Sequence, residues 1–231
     1  MHRSASRIIA RLRRIGGFGG YLDTFDARQP FRKAGQLEWH VRTIRLRAEL
    51  GSVERCLASD GFLETLWQTL QAWGIGARSS RLVSLERFMV AVRGQLAGLS
   101  QLEPLTIGDT KLDVAAAGER VWSVVAGLGI VENANPTVAC TKALHHILPD
   151  LVVPFDRAFT QVFFGWHNPE FQGNPQRVFA HAFAHFAEIA RATRPEQYVG
   201  AGWRSSRTKV LDDAVVGYCL AEGLATAWGG S

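Results

Sequence analysis

The sequence predicts an all-α protein with about ten helices. Apolar residues recur at intervals of three and four along most of the chain, and no segment alternates convincingly between apolar and polar residues as a strand would. Glycines and prolines interrupt these periodic segments at lengths typical of globular helices. With 231 residues, 47% of them hydrophobic, the chain can bury a sizeable core without disulfides or metals.

The predicted helices are each bounded by a cap or a helix breaker. The first covers residues 3–15, and GGFGG at 16–20 ends it, so we expect a flexible joint and a loop up to Gly35. A later loop is expected at 167–175 (HNPEFQGNP). The remaining predicted helices are 36–50, a segment from an N-cap at Asp60 to Gly74, 80–99, 113–129, 137–148, 156–166, 175–193 and 206–223.

Positive charge is concentrated at the beginning of the chain. Residues 1–50 contain eleven Lys and Arg against four Asp and Glu, whereas the net charge of the whole chain is only +5. We therefore predict a basic N-terminal helical arm and loop at 1–50 and an all-α domain at 51–231, although the whole chain also fits a single domain. A basic surface favours polyanions, which makes Arg11 and Arg14 DNA-binding candidates. The alternative is a solvated helix that only maintains solubility.

Several functional classes are not expected. Three widely separated cysteines form no CxxC or Cys/His pattern, so we predict reduced thiols, no metal and no cofactor. The N-terminus lacks the apolar core of a signal peptide, and no apolar run is long enough to span a membrane. The expected protein is cytoplasmic, monomeric and not bound to a membrane.

Two further charged or metal-like patterns are interpreted as structural. His181 and His185 have the i, i+4 spacing of a metal pair, but alanine occupies the glutamate position of an HExxH motif and no third ligand is obvious, so helix packing is the preferred interpretation. Lys209 precedes Asp212 and Asp213 at i+3 and i+4, which is typical of ion pairs on a helix surface; the alternative is that one of these carboxylates reaches the functional site.

The segment 142–156 (KALHHILPDLVVPFD) contains the clearest functional signal. Helical residues three and four apart share a face, so its leucines and isoleucine predict one buried side. The opposite side carries Lys142, His145 and His146, and we expect it to face solvent. One amine and two imidazoles would then lie together on an accessible surface.

The chain that follows this helix is long enough to fold back. Pro149 ends the helix. Six helical residues span about 9 Å, whereas the six residues 150–155 span about 20 Å if extended, which places Asp156 within reach of Lys142. Asp156 is expected at or near the N-cap of the next helix, where backbone N–H groups would fix it as a carboxylate.

A lysine and an aspartate in one cleft are suited to chemistry at a sugar carbon. A desolvated lysine can form a Schiff base, and a fixed carboxylate can activate a nucleophile or stabilise a developing cation. The simpler interpretation is that Asp156 only caps a helix and that Lys142 is solvated or forms an ordinary ion pair with it.

This order of features resembles the helix-hairpin-helix DNA glycosylases, the superfamily of endonuclease III and 8-oxoguanine glycosylase. The resemblance covers about residues 113–166, and VVPFDRAFTQVF at 152–163 is similar to the family's apolar lead into its shared catalytic aspartate. It implies that Asp156 is that carboxylate and that Lys142 occupies the position of the lysine that attacks C1′ in bifunctional members. The corresponding hairpin, 132–142, has no glycine.

The resemblance implies a DNA glycosylase that flips a base out of double-stranded DNA and excises it. Candidate substrate and DNA contacts are His145, His146, Arg157, Trp166 and Trp203. One expected substrate is a hypermodified phage base, such as glucosylated hydroxymethylcytosine, removed in antiviral defence. The other is a damaged base removed in repair. The alternative function is a non-catalytic nucleic-acid-binding module that uses the basic N-terminal region.

Overall fold

The computed structural model describes residues 17–31, 33, 35–76, 81–132 and 135–224, so Arg11 and Arg14 lie outside the described residues. Over these ranges the regular structure is helical, and a single bridge between Leu82 and Val131 is the only β pairing. The all-α prediction is therefore confirmed.

The helices are α1 (Gly17–Arg28), α2 (Gln36–Leu50), α3 (Val53–Ala58), α4 (Asp60–Ala72), α5 (Leu85–Arg93), α6 (Leu96–Leu102), α7 (Val114–Gly127), α8 (Thr137–Ile147), α9 (Thr160–Phe164), α10 (Asn168–Gly173), α11 (Pro175–Thr193) and α12 (Arg207–Ala221), with a 3₁₀ turn at Pro195–Tyr198.

Helix α1 replaces the joint and loop expected for much of 16–35. Glycine lowers helix propensity by about 1 kcal/mol per residue, which is why GGFGG suggests a break. Packing overrides that preference, because α1 lies along α12 and buries Phe18, Tyr21, Leu22 and Phe25. The two helices approach so closely that a Cβ at Gly217 would lie 1.9 Å from the carbonyl oxygen of Tyr21.

Other boundaries differ from the prediction in ways that local hydrogen bonds explain. Ser59 rather than Asp60 caps α4, since its hydroxyl accepts from the Phe62 N–H. The helix expected over 80–99 is divided into α5 and α6 by a turn at Gly94 and Gln95. Residues 167–175, predicted as a loop, include α10. The predictions for α2, α7, α8, α11 and α12 agree with the structure to within a few residues.

Helix α8 is the central helix of the fold, which corrects the expectation of a solvent-facing polar side. Every residue from Ala139 to Ile147 is buried. Helices α2, α4 and α7 pack around α8, and Thr208 of α12 contacts His145 from a further side. The polar residues of α8 are therefore buried under neighbouring helices, apart from a small exposed fraction of Lys142.

The described residues also bear on two predictions about cellular context. Cys56, Cys140 and Cys219 are buried, and none of the three forms a disulfide within the described residues. Among the helices in the described part of the chain, none combines the length and apolar character that a membrane crossing requires.

Candidate active site

A small hollow of about 60 Å³ lies beside the middle of α8, at Lys142. Its walls come from distant parts of the chain that the fold brings together: the loop before α2, the end of α4, α8, the segment after α8 and the beginning of α12. The lining residues are Phe31, Gln36, Trp73, Lys142, Asp156, Trp203 and Lys209. Aromatic rings and charged groups therefore share one concave surface.

Lys142 and Asp156 meet in this hollow, as the reach of the intervening chain predicts. The Lys142 Nζ lies 3.4 Å from Asp156 Oδ2, and it also donates to the Trp73 carbonyl at 3.3 Å. The returning chain is fixed to α8 by a 3.0 Å hydrogen bond from the Phe155 N–H to the Thr141 hydroxyl. The fold thus holds the amine and the carboxylate together through backbone contacts on both sides.

Asp156 does not cap a helix, which corrects the sequence-based expectation. Helix α9 begins four residues later, at Thr160, and Asp156 instead forms a local turn. Its Oδ1 accepts from the Ala158 N–H at 2.7 Å, and its own N–H donates to the Thr160 hydroxyl at 2.9 Å. The side chain of Asp156 is 27% exposed, against 10% for Lys142. The carboxylate is therefore the more accessible member of the pair.

A second lysine and two more aspartates form a closed cluster beside this pair. Lys209 Nζ lies 2.8 Å from Asp212 Oδ2 and also binds Asp213 Oδ1, and all three side chains are buried. The expectation of a surface ion-pair pattern is therefore wrong. Aromatic rings surround the ammonium group, at 5.3 Å for Phe25, 5.4 Å for Phe31 and 4.9 Å for Trp203.

Burial and charge compete in this closed cluster. Burial opposes the charged form of Lys209, but attraction to the two aspartates outweighs it and raises the pKa of the amine. Burial also raises the pKa of Asp212, and it raises the pKa of Asp213 to about 7 although Lys209 opposes that shift. Within the described structure, Asp213 Oδ2 is buried without a hydrogen-bond partner.

Three histidines lie beneath the hollow instead of lining it. His40, His145 and His146 are all fully buried, so neither His145 nor His146 is on the exposed face expected from the sequence. The Trp73 and Trp203 rings stack on His40 at centroid distances of 5.3 and 5.4 Å. Burial lowers the pKa of all three imidazoles, for His146 to about 4, so they are neutral near pH 7.

The structure brings only some of the other predicted contact residues to the hollow. Trp203 is one of its walls. Trp166 is not, because it is buried among Phe164, Phe171 and His181. Arg157 follows Asp156 in the chain and is partly buried, outside the lining.

Sequence reasoning missed four lining residues, Phe31, Gln36, Trp73 and Lys209. Only Lys209 had a detectable signal, its spacing to Asp212 and Asp213, and that pattern occurs on helix surfaces as well as in cores. The others lie about 70 or more residues before Lys142, and nothing in their local pattern indicates a cleft.

A wider basic groove adjoins the hollow at Phe31. This groove has a volume of about 730 Å³, and its lining includes Lys33, Arg42 and Arg45 against one acidic residue, Glu38. The three basic residues are exposed. Phe31 lines both cavities, so the positive groove and the hollow that holds Lys142 and Asp156 are neighbours with this residue as a common wall.

Comparison with protein-family models, with curated proteins and with solved structures finds no match to this chain.

Proposed function

We propose that this chain is a DNA N-glycosylase that removes a modified or damaged base from double-stranded DNA. The observation that supports it most is the contact between Lys142 Nζ and Asp156 Oδ2, 3.4 Å apart at an aromatic hollow. A glycosidic bond breaks with positive charge developing on the sugar, so a fixed and accessible carboxylate is the group the reaction needs.

Asp156 is assigned as the catalytic carboxylate. The target nucleotide leaves the duplex stack, and the bond between C1′ and the base nitrogen breaks as the base departs. Asp156 stabilises the cationic sugar electrostatically and orients the water that adds to C1′. The turn at Ala158 and Thr160 holds the carboxylate before substrate arrives, so little reorganisation is required during the reaction.

Lys142 is assigned as a positioning residue rather than as the nucleophile. An attacking amine needs an available lone pair. Here Nζ donates to both the Trp73 carbonyl and Asp156, and it is less accessible than the carboxylate. The proposed enzyme therefore hydrolyses the glycosidic bond without forming an imine.

The small volume of the hollow fits a site that becomes larger when the substrate binds. A volume of about 60 Å³ is well below the roughly 300–1,000 Å³ of typical small-molecule pockets. Entry of a base therefore requires the ring of Trp203 or Phe31 to move. The flat faces of Trp73 and Trp203 then provide surfaces on which a base can stack.

The basic groove supports duplex DNA as the partner. Lysine and arginine side chains that contact phosphates position a protein on DNA without selecting a sequence. Lys33, Arg42 and Arg45 supply such groups next to the hollow. A DNA strand in this groove would present one nucleotide to Asp156 while its phosphates remain outside.

Two substrate classes fit this proposal. One is a hypermodified phage base such as glucosylated hydroxymethylcytosine, whose removal would act against foreign DNA. The other is an oxidised or alkylated base. Mass spectrometry of the free bases released from several phage genomes and from damaged duplexes distinguishes the two classes.

The decisive comparison uses wild type and Asp156→Asn on that panel. We expect wild type to release one base and the variant to release it at least about 100-fold more slowly. Release of no base by wild type on any substrate, or equal release by both proteins, would refute the enzyme proposal.

A second candidate function is nucleic-acid binding without catalysis, and the basic groove is the observation that favours it. In that case Asp156→Asn binds duplex DNA as wild type does, and neither protein releases a base. Replacing Lys33, Arg42 and Arg45 with serine would then lower the affinity and reduce its dependence on salt.

A further inference from the structure

We propose that His40, His145 and His146 form a binding site for a transition-metal ion of the Zn²⁺ class, beneath the floor of the hollow. Among the residues that the structure describes, they are the only group of three or more metal-ligating side chains with converging donor atoms. The inference does not depend on the glycosylase proposal, because it concerns different residues and a different chemistry.

The ring nitrogens are close to the arrangement that a metal requires. One nitrogen from each ring lies within 4.8 Å of the others, and His40 Nδ1 is 3.0 Å from His146 Nε2. Around a tetrahedral ion with metal–nitrogen distances of about 2.0–2.1 Å, ligand nitrogens lie about 3.3 Å apart. The widest separation therefore has to close by roughly 1.5 Å, a side-chain adjustment.

The outer nitrogen of each ring already has a hydrogen-bond partner. His40 Nε2 lies 2.8 Å from the Ser205 hydroxyl, and His145 Nδ1 lies 2.8 Å from the Thr208 hydroxyl. His146 Nδ1 lies 2.8 Å from the Lys142 carbonyl. Metal-bound histidines characteristically hold their other nitrogen in this way, which fixes the ring and its tautomer.

One of these contacts fixes the tautomer of His145. The Thr208 hydroxyl donates its proton to the Pro149 carbonyl at 2.6 Å, so it accepts from the Nδ1–H of His145. The lone pair of His145 is therefore on Nε2. That atom is fully buried and makes no hydrogen bond of ordinary geometry in the described structure, although the backbone of Val152 lies close enough to the ring to raise its pKa slightly against the lowering effect of burial. A metal ion would give this lone pair a partner. If the cluster were only a hydrogen-bonded part of the core, this nitrogen would be expected to have a hydrogen-bond partner already.

The tautomer of His146 follows by the same reasoning. Its Nδ1 donates to the Lys142 carbonyl, so its Nε2 carries a lone pair. In the described structure His40 Nδ1–H donates to this lone pair at 3.0 Å, and His40 presents Nδ1 to a metal only after its proton moves to Nε2, which then donates to Ser205. All three rings can thus offer lone pairs together with their outer hydrogen bonds kept, while the metal replaces the inner hydrogen bond between His40 and His146.

Ligand chemistry and local charge define the class of ion. Three neutral imidazoles and no oxygen ligand suit Zn²⁺, Co²⁺, Ni²⁺ or Cu²⁺ and not Mg²⁺ or Ca²⁺. The ammonium groups of Lys142 and Lys209 oppose a cation. The carboxylates of Asp156, Asp212 and Asp213 pair with those two groups and offset them.

A metal here would join separate elements under the hollow. His40 belongs to α2, whereas His145 and His146 belong to α8. The Trp73 and Trp203 rings rest on His40, so fixing this imidazole also fixes the stacking surfaces above it. Binding of Zn²⁺ should therefore raise thermal stability.

The test titrates Zn²⁺ alone into the full chain after metal removal with EDTA, followed by calorimetry and thermal unfolding. We expect one Zn²⁺ per chain and a higher Tm, with stoichiometric binding lost in His145→Gln. Ser205→Ala should weaken binding about tenfold. The matched control is His185→Gln, since His185 lies next to another histidine, His181, but its ring nitrogen contacts Glu188 and not a third histidine.

Wild-type spectra keep the test decisive if His145→Gln fails to fold. In nitrogen-15 NMR, Zn²⁺ should shift the ring signals of three histidines, with His185 unchanged, and Co²⁺ should give the visible absorption of a four-coordinate site. Absence of stoichiometric uptake by wild type, unchanged ring signals, or equal Zn²⁺ affinity in a folded His145→Gln would overturn the proposal.

Discussion

The two lysine–aspartate clusters of this protein have similar chemistry and opposite accessibility. Lys142 and Asp156 lie 3.4 Å apart, and the carboxylate is 27% exposed. Lys209 lies 2.8 Å from Asp212, also binds Asp213, and has a side-chain exposure of 1%. Both clusters border the same hollow, since Lys142, Asp156 and Lys209 all line it.

This difference separates a structural ion pair from a candidate reactive one. The Lys209 cluster is closed by aromatic rings, so its charges stabilise one another and the adjoining helices. Asp156 keeps an open side towards the hollow while backbone groups hold its position. A buried charge that loses its partner is costly, whereas a partly exposed one can be solvated.

The largest expected effect comes from removing each lysine in turn. Lys209→Met leaves two buried aspartates without a counter-ion, and we expect a loss of about 3–5 kcal/mol in unfolding free energy. Lys142→Met leaves Asp156 partly exposed, so the loss should be about 1 kcal/mol or less. Urea unfolding measures both, and equal losses would contradict the distinction between the clusters.

A smaller effect tests whether α1 closes the Lys209 cluster. Gly217→Ala places a methyl group against the Tyr21 carbonyl and forces α1 away from α12, at a cost of about 1–3 kcal/mol. Gly61→Ala is the matched control, since its nearest neighbour is the Ser59 hydroxyl at 3.9 Å and alanine favours helix. Thermal unfolding should show the loss only at position 217.

The closed cluster should also be visible in the pH dependence of stability. The pKa of Asp213 is raised to about 7 in the folded protein, above an ordinary value near 3.9 when unfolded. Between these values the folded state retains a proton that the unfolded state releases, so this group's contribution to stability falls as pH rises.

Asp213→Asn removes that titration. The unfolding free energy of wild type minus that of Asp213→Asn should therefore decrease from pH 4 to pH 7.5. Urea unfolding across this range provides the measurement. A constant difference, or one that grows with pH, would show that Asp213 does not titrate as described.

Two substitutions of Lys142 test the role of this residue in the open pair. If Lys142 only positions Asp156, Lys142→Arg should retain most base release, whereas Lys142→Met should lose about 10–100-fold. Borohydride reduction should trap no covalent complex between wild type and DNA. A trapped complex that disappears in both variants would instead make Lys142 the nucleophile.

Local sequence patterns predict much of the helical framework but not its packing. Periodicity and breakers give α2, α7, α8, α11 and α12 nearly to their ends. They miss α1, because its glycines disfavour a helix that close packing on α12 stabilises. They also misassign the polar side of α8 to the surface. The sequence pattern of a polar helix face is the same whether that face contacts solvent or other buried polar groups.

The candidate site is predictable only where its parts are close in sequence. Lys142 and Asp156 are 14 residues apart, and the reach of the chain is enough to bring them together. His40 is 106 residues from its partner His146, so no local spacing indicates the three-histidine cluster. Trp73 and Lys209 enter the hollow through tertiary contacts of the same kind.

The most direct test of the account is the single-turnover rate of base release by Asp156→Asn. Asp113→Asn is the matched control, since Asp113 caps α7 and asparagine caps a helix equally well. We predict a rate about 10²–10³-fold lower for Asp156→Asn, with an unchanged Tm, and a wild-type rate for Asp113→Asn. A wild-type rate for Asp156→Asn would contradict the central claim that this carboxylate carries the reaction.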